Sequence, residues 1–261
     1  MLISVRTLKR YCDMTDSKIG AECACGSGQP FDTCCGVIDQ NLWLGNANGK
    51  LQMSLRDPAA QQFVAGEPAC NFEGQEMPRG LLVKILDDSQ YHWKALAHDL
   101  TSQTQSSTAK ILEPTGKLVI NSIRVSSVVE QGERAPEVTD LVRRLFRDEV
   151  QPHFKCKLRS LTTPHILRYE KGCYYLPHAD SDEINATTHR WEKIHDRDLS
   201  LLLYLDEDYE GGEIAFANFD FKLKPRAGML IVFPSDYRYL HGAMPVTAGT
   251  RHAVVSWCAL S

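Results

Sequence analysis

The chain has 261 residues, of which 43% are hydrophobic and 24% charged, a balance typical of a globular protein with room for one domain and a small accessory module. Its net charge of −4 gives no electrostatic basis for nucleic acid as the main partner. The sequence contains no apolar run of the ~20 residues that span a bilayer and no signal-peptide core, so we expect a cytoplasmic protein without membrane attachment.

Four cysteines lie close together near the N-terminus, around a Cys-Gly-Ser-Gly turn: Cys23, Cys25, Cys34 and Cys35. Four thiolates can close a tetrahedral zinc site, and the glycines allow the tight turn between the two pairs. This segment resembles the SEC-C motif, a small zinc-binding module. The resemblance implies a structural Zn(II) and docking to a protein or ribosomal partner. Two disulfides or four free thiols are the alternatives, and a reducing compartment argues against disulfides.

The chain is predicted to divide into three parts. Residues 1–40 hold the zinc knot, 41–80 form a linker or packing segment rich in polar and small residues, and 81–261 form the main domain. The main domain is expected to open with a strand over 81–86, followed by one helix that Asp87 or Asp88 caps.

Further elements follow in chain order. Apolar runs at 118–120 and 125–129 precede a helix that begins at Pro136, buries one apolar face and stops near Pro152. Short β-prone runs then alternate with turns, at 163–169, 173–176, 199–205, 213–216, 219–223, 229–233 and 253–259. This spacing predicts a mainly β fold with flanking helices, a double-stranded β-helix or jelly roll preceded by the zinc knot.

Three residues at the ends of predicted strands form a candidate metal site. His178 and Asp180 are two positions apart, so they share a face of a strand, and His241 follows the run at 229–233. Two imidazoles and one carboxylate are the ligand set that holds non-haem Fe(II) on one face and leaves the other face open. Arg251, ten residues after His241, is a cation suited to the carboxylate of a keto acid.

The segments around these residues resemble the prolyl-4-hydroxylase branch of the 2-oxoglutarate/Fe(II) dioxygenases over roughly residues 80–261. The matching segments are 167–180, 202–206 with 211–213, 224–234, and 241–251 with Trp257. The resemblance implies that His178, Asp180 and His241 bind Fe(II) and that 2-oxoglutarate and O2 are cosubstrates.

The resemblance also assigns cosubstrate contacts. Arg251 would hold the far carboxylate of 2-oxoglutarate in a bidentate pair. Tyr169 would supply a second hydrogen bond, with a core aromatic as the alternative, and Thr247 is a further candidate. The long polar loop at 181–198 is expected beside the open face of the metal, where Arg190 and Trp191 are candidate substrate contacts, with exposed loop residues as the alternative.

The implied reaction is hydroxylation of an unactivated C–H bond, with 2-oxoglutarate converted to succinate and CO2. Asp180 favours hydroxylation over halogenation, because related halogenases replace this carboxylate with a small residue. A protein or peptidyl residue such as proline is the leading substrate hypothesis. A free amino acid or small metabolite is the second. A catalytically silent scaffold is the third, against which the intact triad and Arg251 argue.

Overall fold

The computed structural model describes residues 64–102, 105–109, 111–112, 118–119, 124–185 and 191–261. Three sequence predictions lie outside these ranges: the zinc knot at Cys23, Cys25, Cys34 and Cys35, most of the segment predicted as a linker, and the proposed contact Arg190. Across the ranges above, no helix has both the length and the apolar character needed to cross a membrane.

The described part of the chain is mainly β, with a few helices packed on one side. Its strands in chain order are β1 (Asn71–Phe72), β2 (Gln75–Glu76), β3 (Leu82–Ile85), β4 (Ser106–Thr108), β5 (Ile111–Leu112), β6 (Leu118–Val119), β7 (Arg124–Val125), β8 (Ser127–Val129), β9 (Leu158–Leu161), β10 (His165–Tyr169), β11 (Tyr174–His178), β12 (Asp182–Ile184), β13 (Trp191–Lys193), β14 (Leu199–Tyr204), β15 (Tyr209–Gly211), β16 (Ile214–Phe216), β17 (Phe221–Leu223), β18 (Met229–Pro234), β19 (His241–Ala243), β20 (Val246–Gly249) and β21 (Arg251–Leu260).

The helical region after β3 differs from its prediction in one respect. Asp87 caps α1 (Asp88–Tyr91) by accepting a hydrogen bond from the Ser89 backbone, as expected from its position. His92 then takes a left-handed conformation with φ of 53°, which ends α1 before α2 (Trp93–Thr101) begins. The expected single helix is therefore two, because a residue in the left-handed region cannot continue a right-handed helix.

The helix predicted from Pro136 is α3 (Ala135–Leu145), which has the proline in its first turn and buries one apolar face. A π-helical turn (Phe146–Val150) and α4 (Gln151–Phe154) continue it, so the helical run ends just past Pro152, close to the predicted stop. Pro152 has no N–H to donate, and the wider π turn lies where the regular hydrogen-bond ladder is interrupted. Two short 3-10 turns complete the helical elements (Gly132–Arg134 and Tyr237–Tyr239).

Eight strands form the larger sheet, in the order β3-β18-β14-β21-β10-β8-β4, with β9 pairing beside β21. The central strands are near-continuous apolar runs, because one face of the sheet packs on the helices and the other on the second sheet. The apolar face of α3 covers the helix side of this sheet. Strand β21 lies between β10 and β14, which fixes the position of its first residue, Arg251.

Five strands form the smaller sheet, in the order β17-β16-β19-β11-β7. Its inner side packs against the larger sheet through a cluster that includes Phe216, Ile231 and Phe233. This face-to-face arrangement of antiparallel sheets agrees with the mainly β fold predicted and is consistent with a jelly roll. Strands β11 and β19 of this sheet place His178 and His241 directly opposite each other.

The segment at 181–198, predicted as a loop, is instead partly a β-hairpin. Strands β12 and β13 pair antiparallel, with Ile184 opposite Trp191, and the tip between them lies outside the described residues. Backbone N–H groups of Ile194 and His195 donate to the carbonyl of Ser181, which ties the hairpin base to the end of β11. The polar composition of the segment hid this pairing, because the hairpin is held by backbone bonds rather than by an apolar face.

Candidate metal centre

Three buried side chains meet at one end of the smaller sheet. Their metal-binding atoms, one from each of His178, Asp180 and His241, all lie within 4.8 Å of one another. The Asp180 carboxylate sits between the two imidazoles, 3.5 Å from each Nε2 atom. The structure thus brings together the three residues that the sequence predicted as a ligand set.

Each imidazole is oriented by a carbonyl two residues before it in the chain. The Nδ1 atom of His178 donates to the Leu176 carbonyl at 2.9 Å, and that of His241 donates to the Tyr239 carbonyl at 3.1 Å. A carbonyl oxygen only accepts, so the proton of each ring lies on Nδ1. Both Nε2 lone pairs are left facing the common centre, as a metal requires.

The third ligand candidate is held by neighbouring strands. Asp180 donates its backbone N–H to the Ser235 carbonyl, and its carboxylate accepts a hydrogen bond of 2.7 Å from the Ser200 hydroxyl. Burial alone would raise the pKa of Asp180, but His241 and His178, together with Arg197, hold it well below its usual value. The group is therefore a carboxylate.

Aromatic side chains surround the two histidines. Tyr175 stacks on His178 with ring centroids 3.6 Å apart, and Phe233 packs edge-on against His241 at 4.5 Å. Burial lowers the pKa of His241 to about 4, with a further contribution from His178, so this imidazole is neutral near pH 7. Two imidazole nitrogens and one carboxylate oxygen on one side of an open cavity fit non-haem Fe(II).

The centre opens into a cavity of about 510 Å³ that runs between the two sheets. Arg251 lines this cavity and is 2% exposed. Its guanidinium donates to the Gly212 carbonyl at 2.6 Å and lies 4.1 Å from the centre of the Tyr169 ring. Within the described residues no carboxylate pairs with it, and its Nε has no hydrogen-bond partner. A buried, unpaired guanidinium is suited to an anionic ligand.

The remaining predicted cosubstrate contacts have different positions. Tyr169 is buried, lines the cavity, and stands opposite Arg251 in the ladder of β10 and β21. Thr247 is exposed on β20 and does not line the cavity. Val246 is buried, and the alternation of a strand turns the next side chain, Thr247, outward, so the structure does not bring this candidate to the cavity and its contact with the cosubstrate stays a prediction.

Trp191, predicted as a substrate contact, lies away from the cavity lining. It is half-buried and stacks on Tyr237 with ring centroids 5.4 Å apart. This contact packs the tip end of the hairpin against Tyr237.

Several lining residues were not among the site candidates chosen from the sequence. The cavity is also lined by Arg124, His165, His195 and Arg197, and the Nε2 atom of His195 is buried without a partner among the described residues. Ser200, which orients Asp180, carried a usable signal: it is a hydroxyl inside the apolar run of β14. Arg124 and Arg197 carried no such signal in the sequence, because each lies in a polar stretch where an exposed charge is the ordinary expectation.

Residues 164–259 match the sequence profile of the 2OG-Fe(II) oxygenase superfamily. The chain carries a 2OG-Fe(II) oxygenase domain. The matched range includes the triad, Tyr169 and Arg251, so the 2OG-Fe(II) oxygenase superfamily is confirmed over these residues, and the prolyl-4-hydroxylase branch stays a prediction.

Two curated relatives are similar over parts of the domain. Prolyl 3-hydroxylase 2 of Rattus norvegicus is 44% identical over 69 residues, which cover 24% of this chain and 10% of that protein. A PKHD-type hydroxylase of Synechococcus sp. is 38% identical over 93 residues, covering 34% of this chain and 39% of that protein. The chain therefore corresponds to a minor part of each relative.

A solved structure shares the fold. A prolyl hydroxylase from Trichoplax adhaerens, in complex with a peptide fragment of the hypoxia inducible factor oxygen degradation domain, aligns with a TM-score of 0.54 at 19% sequence identity. The alignment covers 69% of this chain and 83% of the other. At this identity the likeness establishes the architecture.

Proposed function

We propose that this protein is an Fe(II)- and 2-oxoglutarate-dependent dioxygenase that hydroxylates an unactivated C–H bond and releases succinate and CO2. The observation that carries the proposal is that the triad of His178, Asp180 and His241 faces the same cavity as Arg251, a buried guanidinium with no carboxylate partner among the described residues. A keto acid with a second carboxylate would match both features, because its keto-acid end would chelate a metal held by the triad and its second carboxylate would pair with Arg251.

Each residue has a defined part in this proposal. The triad would hold Fe(II), which when bound supplies the activation of O2. Arg251 would bind the far carboxylate of 2-oxoglutarate, supported on one side by the Tyr169 ring and on the other by the Gly212 carbonyl. Tyr175 and Phe233 limit the access of water to the imidazoles from behind.

We further propose a protein or peptidyl substrate such as proline. The family of the domain and the names of its relatives, which include prolyl hydroxylases, support this choice. Hydroxylation of a free amino acid or small metabolite is the second candidate, since the cavity would also admit a compact molecule. Structural zinc at Cys23, Cys25, Cys34 and Cys35, with docking through that segment, stays a prediction from the sequence.

The decisive experiment separates an enzyme from a silent scaffold. We expect the protein to bind 2-oxoglutarate anaerobically in an Fe(II)-dependent manner, and to release succinate when O2 is admitted. An R251Q variant should bind 2-oxoglutarate about 10- to 100-fold more weakly, because a charge-assisted bidentate pair is lost.

Exposed Arg143, which has no ion pair among the described residues, provides the matched control. R143Q also removes one positive charge and should bind 2-oxoglutarate as the unaltered protein does. Equal affinity in R251Q and R143Q, or no succinate under any condition, would refute the proposal. Mass spectrometry for an added oxygen, on co-purifying proteins and on metabolite extracts, then distinguishes the two substrate classes.

A further inference from the structure

Two arginines in the cavity are unused by the proposed chemistry. Arg124, Arg197 and Arg251 all line it, and Arg251 is assigned to the cosubstrate. Among the described lining residues the carboxylate is that of Asp180, which belongs to the metal centre. The part of the cavity left for a substrate therefore has positive charge without an acidic counterpart in the described lining.

These arginines differ from most others in the protein. Arginines elsewhere form ion pairs with aspartate or glutamate: Arg134, Arg144, Arg147, Arg159, Arg168, Arg226 and Arg238. Across the described ranges, neither Arg124 nor Arg197 has a carboxylate within ion-pair distance, although both are half-buried. A guanidinium partly removed from water and left without an anion retains a strong preference for one.

Arg197 is fixed in place by its surroundings. It donates to the backbone carbonyl of Asp180 at 3.1 Å, and its guanidinium carbon lies over the Trp257 ring, 3.9 Å from the ring centre. Burial lowers its pKa, although Asp180 opposes that change. The single bond to Asp180 leaves further N–H groups of the guanidinium available to another acceptor.

Arg124 approaches from the smaller sheet. Its Nε donates to the Ser126 hydroxyl at 3.0 Å, and the guanidinium lies 4.9 Å from the centre of the Tyr175 ring. Burial raises the pKa of Tyr175, and the charges of Arg124 and Arg197 both oppose that rise. Both guanidinium groups thus line the same cavity, and Arg124 lies beside the Tyr175 ring that stacks on the metal-ligand candidate His178.

We propose that Arg124 and Arg197 bind a carboxylate of the substrate, on the same molecule as the C–H bond to be hydroxylated. This inference rests on the proposed dioxygenase function and specifies its substrate class. The carboxylate can belong to an acidic side chain that flanks the target residue in a peptide, or to a free amino acid. Both present the planar anion that a guanidinium recognises in two parallel hydrogen bonds.

The test measures binding without turnover. The protein is loaded anaerobically with Fe(II) and 2-oxoglutarate and mixed with two pools of end-capped heptapeptides, whose varied central residue is flanked by Glu in one pool and by Gln in the other. Free amino acids and their C-terminal amides form a second pair of probes. In one of the two pairs, we expect the acidic probe (the Glu-flanked pool or the free amino acid) to bind at least about tenfold more tightly than its amide counterpart. The reason is that it gains a charge-assisted bidentate contact.

Three cavity variants and one control variant make the test specific. R124Q should abolish the preference for the acidic probe, and R124E should shift the preference from Glu-flanked peptides to a pool flanked by Lys. R197K keeps the charge but not the planar fork, so it should retain part of the preference. R143Q, which removes an exposed charge outside the cavity, should keep all of it.

The outcomes separate this inference from the proposed function. A preference for the Glu-flanked pool supports a peptide carboxylate, and a preference for the free acids supports a small substrate. Equal binding of acidic and amide probes, or an unchanged preference in R124Q and R124E, overturns the carboxylate proposal. The same samples report 2-oxoglutarate binding, so intact cosubstrate binding in those cases leaves the dioxygenase proposal standing.

Discussion

Ser200 shows how one residue that is not a ligand can define a metal site. Its hydroxyl is 1% exposed, donates to the Asp180 carboxylate at 2.7 Å and lies 2.8 Å from the Ser235 hydroxyl. The orientation of the carboxylate therefore depends on a hydroxyl in the neighbouring strand. Such outer partners contribute to metal affinity because they hold a ligand in its binding geometry.

We expect S200A to weaken Fe(II) binding about 10- to 100-fold, because the carboxylate loses the hydrogen bond that orients it. An anaerobic metal titration measures this. S256A is the matched control: it removes an equally buried hydroxyl whose bond goes to the Thr162 carbonyl and not to a residue of the triad. Similar metal affinities for S200A and S256A would contradict the role assigned to Ser200.

For individual site residues, the sequence was a good predictor where the chemistry allows only a few residue types. Two histidines and an aspartate at this spacing have few other uses, and the structure places the three together. Thr247 was chosen from its proximity to Arg251 in the chain, and strand alternation turned it outward. Arg124 was not found because Tyr175 is brought near it only by the pairing of β7 with the distant strand β11.

At the scale of secondary-structure elements, Gly228 lies where the helices pack against the larger sheet. It has φ of +77° in the turn before β18, and a Cβ atom built on it would lie 2.4 Å from the Trp93 ring. Its carbonyl accepts from the Leu86 N–H at the end of β3, and its N–H donates to the Tyr204 carbonyl. The glycine thus lets α2 pack closely against the start of a central strand.

G228A should lower the free energy of unfolding by about 2–4 kcal/mol, since it combines left-handed strain with a steric overlap. Denaturant unfolding measures the change. G74A is the control, because Gly74 has a similar φ of +82° but nothing within 4 Å of a built Cβ. It should cost about 1–2 kcal/mol from strain alone, and equal losses in the two variants would show that contact with Trp93 is unimportant.

The elements that could be predicted are those held by apolar side chains. The runs that became β10, β14, β18 and β21 are strongly apolar, and the amphipathic α3 has a clear buried face. Strands β12, β13, β15 and β20 are short and largely polar or small, and backbone hydrogen bonds to one neighbour define them. Periodicity carries no signal for such strands. The break at His92 was equally hidden, because left-handed residues other than glycine are uncommon and a histidine is far more often found at ordinary φ.

On the scale of the whole molecule, the two halves of the site belong to different sheets. His178 and His241 lie on β11 and β19 of the smaller sheet, whereas Arg251 and Tyr169 lie on β21 and β10 of the larger one. A chelating cosubstrate would therefore contact both sheets at once. Its binding should oppose their separation as well as fill the cavity.

We therefore expect 2-oxoglutarate to raise the melting temperature only when a divalent metal is present, because the metal is needed to link the cosubstrate to the smaller sheet. At a concentration about 100 times its Kd, the stabilisation should approach about 2.7 kcal/mol. Thermal unfolding with Mn(II), with 2-oxoglutarate, and with both measures this, and R251Q is the control that should lose the extra shift. Full stabilisation by 2-oxoglutarate in the presence of a chelator would contradict this account.

The carbonyl bonds of the two histidine rings have a consequence for which metal the protein acquires. Because the Leu176 and Tyr239 carbonyls orient both rings through hydrogen bonds within the fold, the entropy of ordering these ligands is lost during folding rather than during metal capture. A site whose two nitrogens and one oxygen are already in place does not distinguish between metal ions by rearranging its ligands. Copper, nickel and zinc bind such donors more tightly than Fe(II) does. The identity of the bound ion is then determined by the supply of metals in the cell, and zinc in excess would act as an inhibitor.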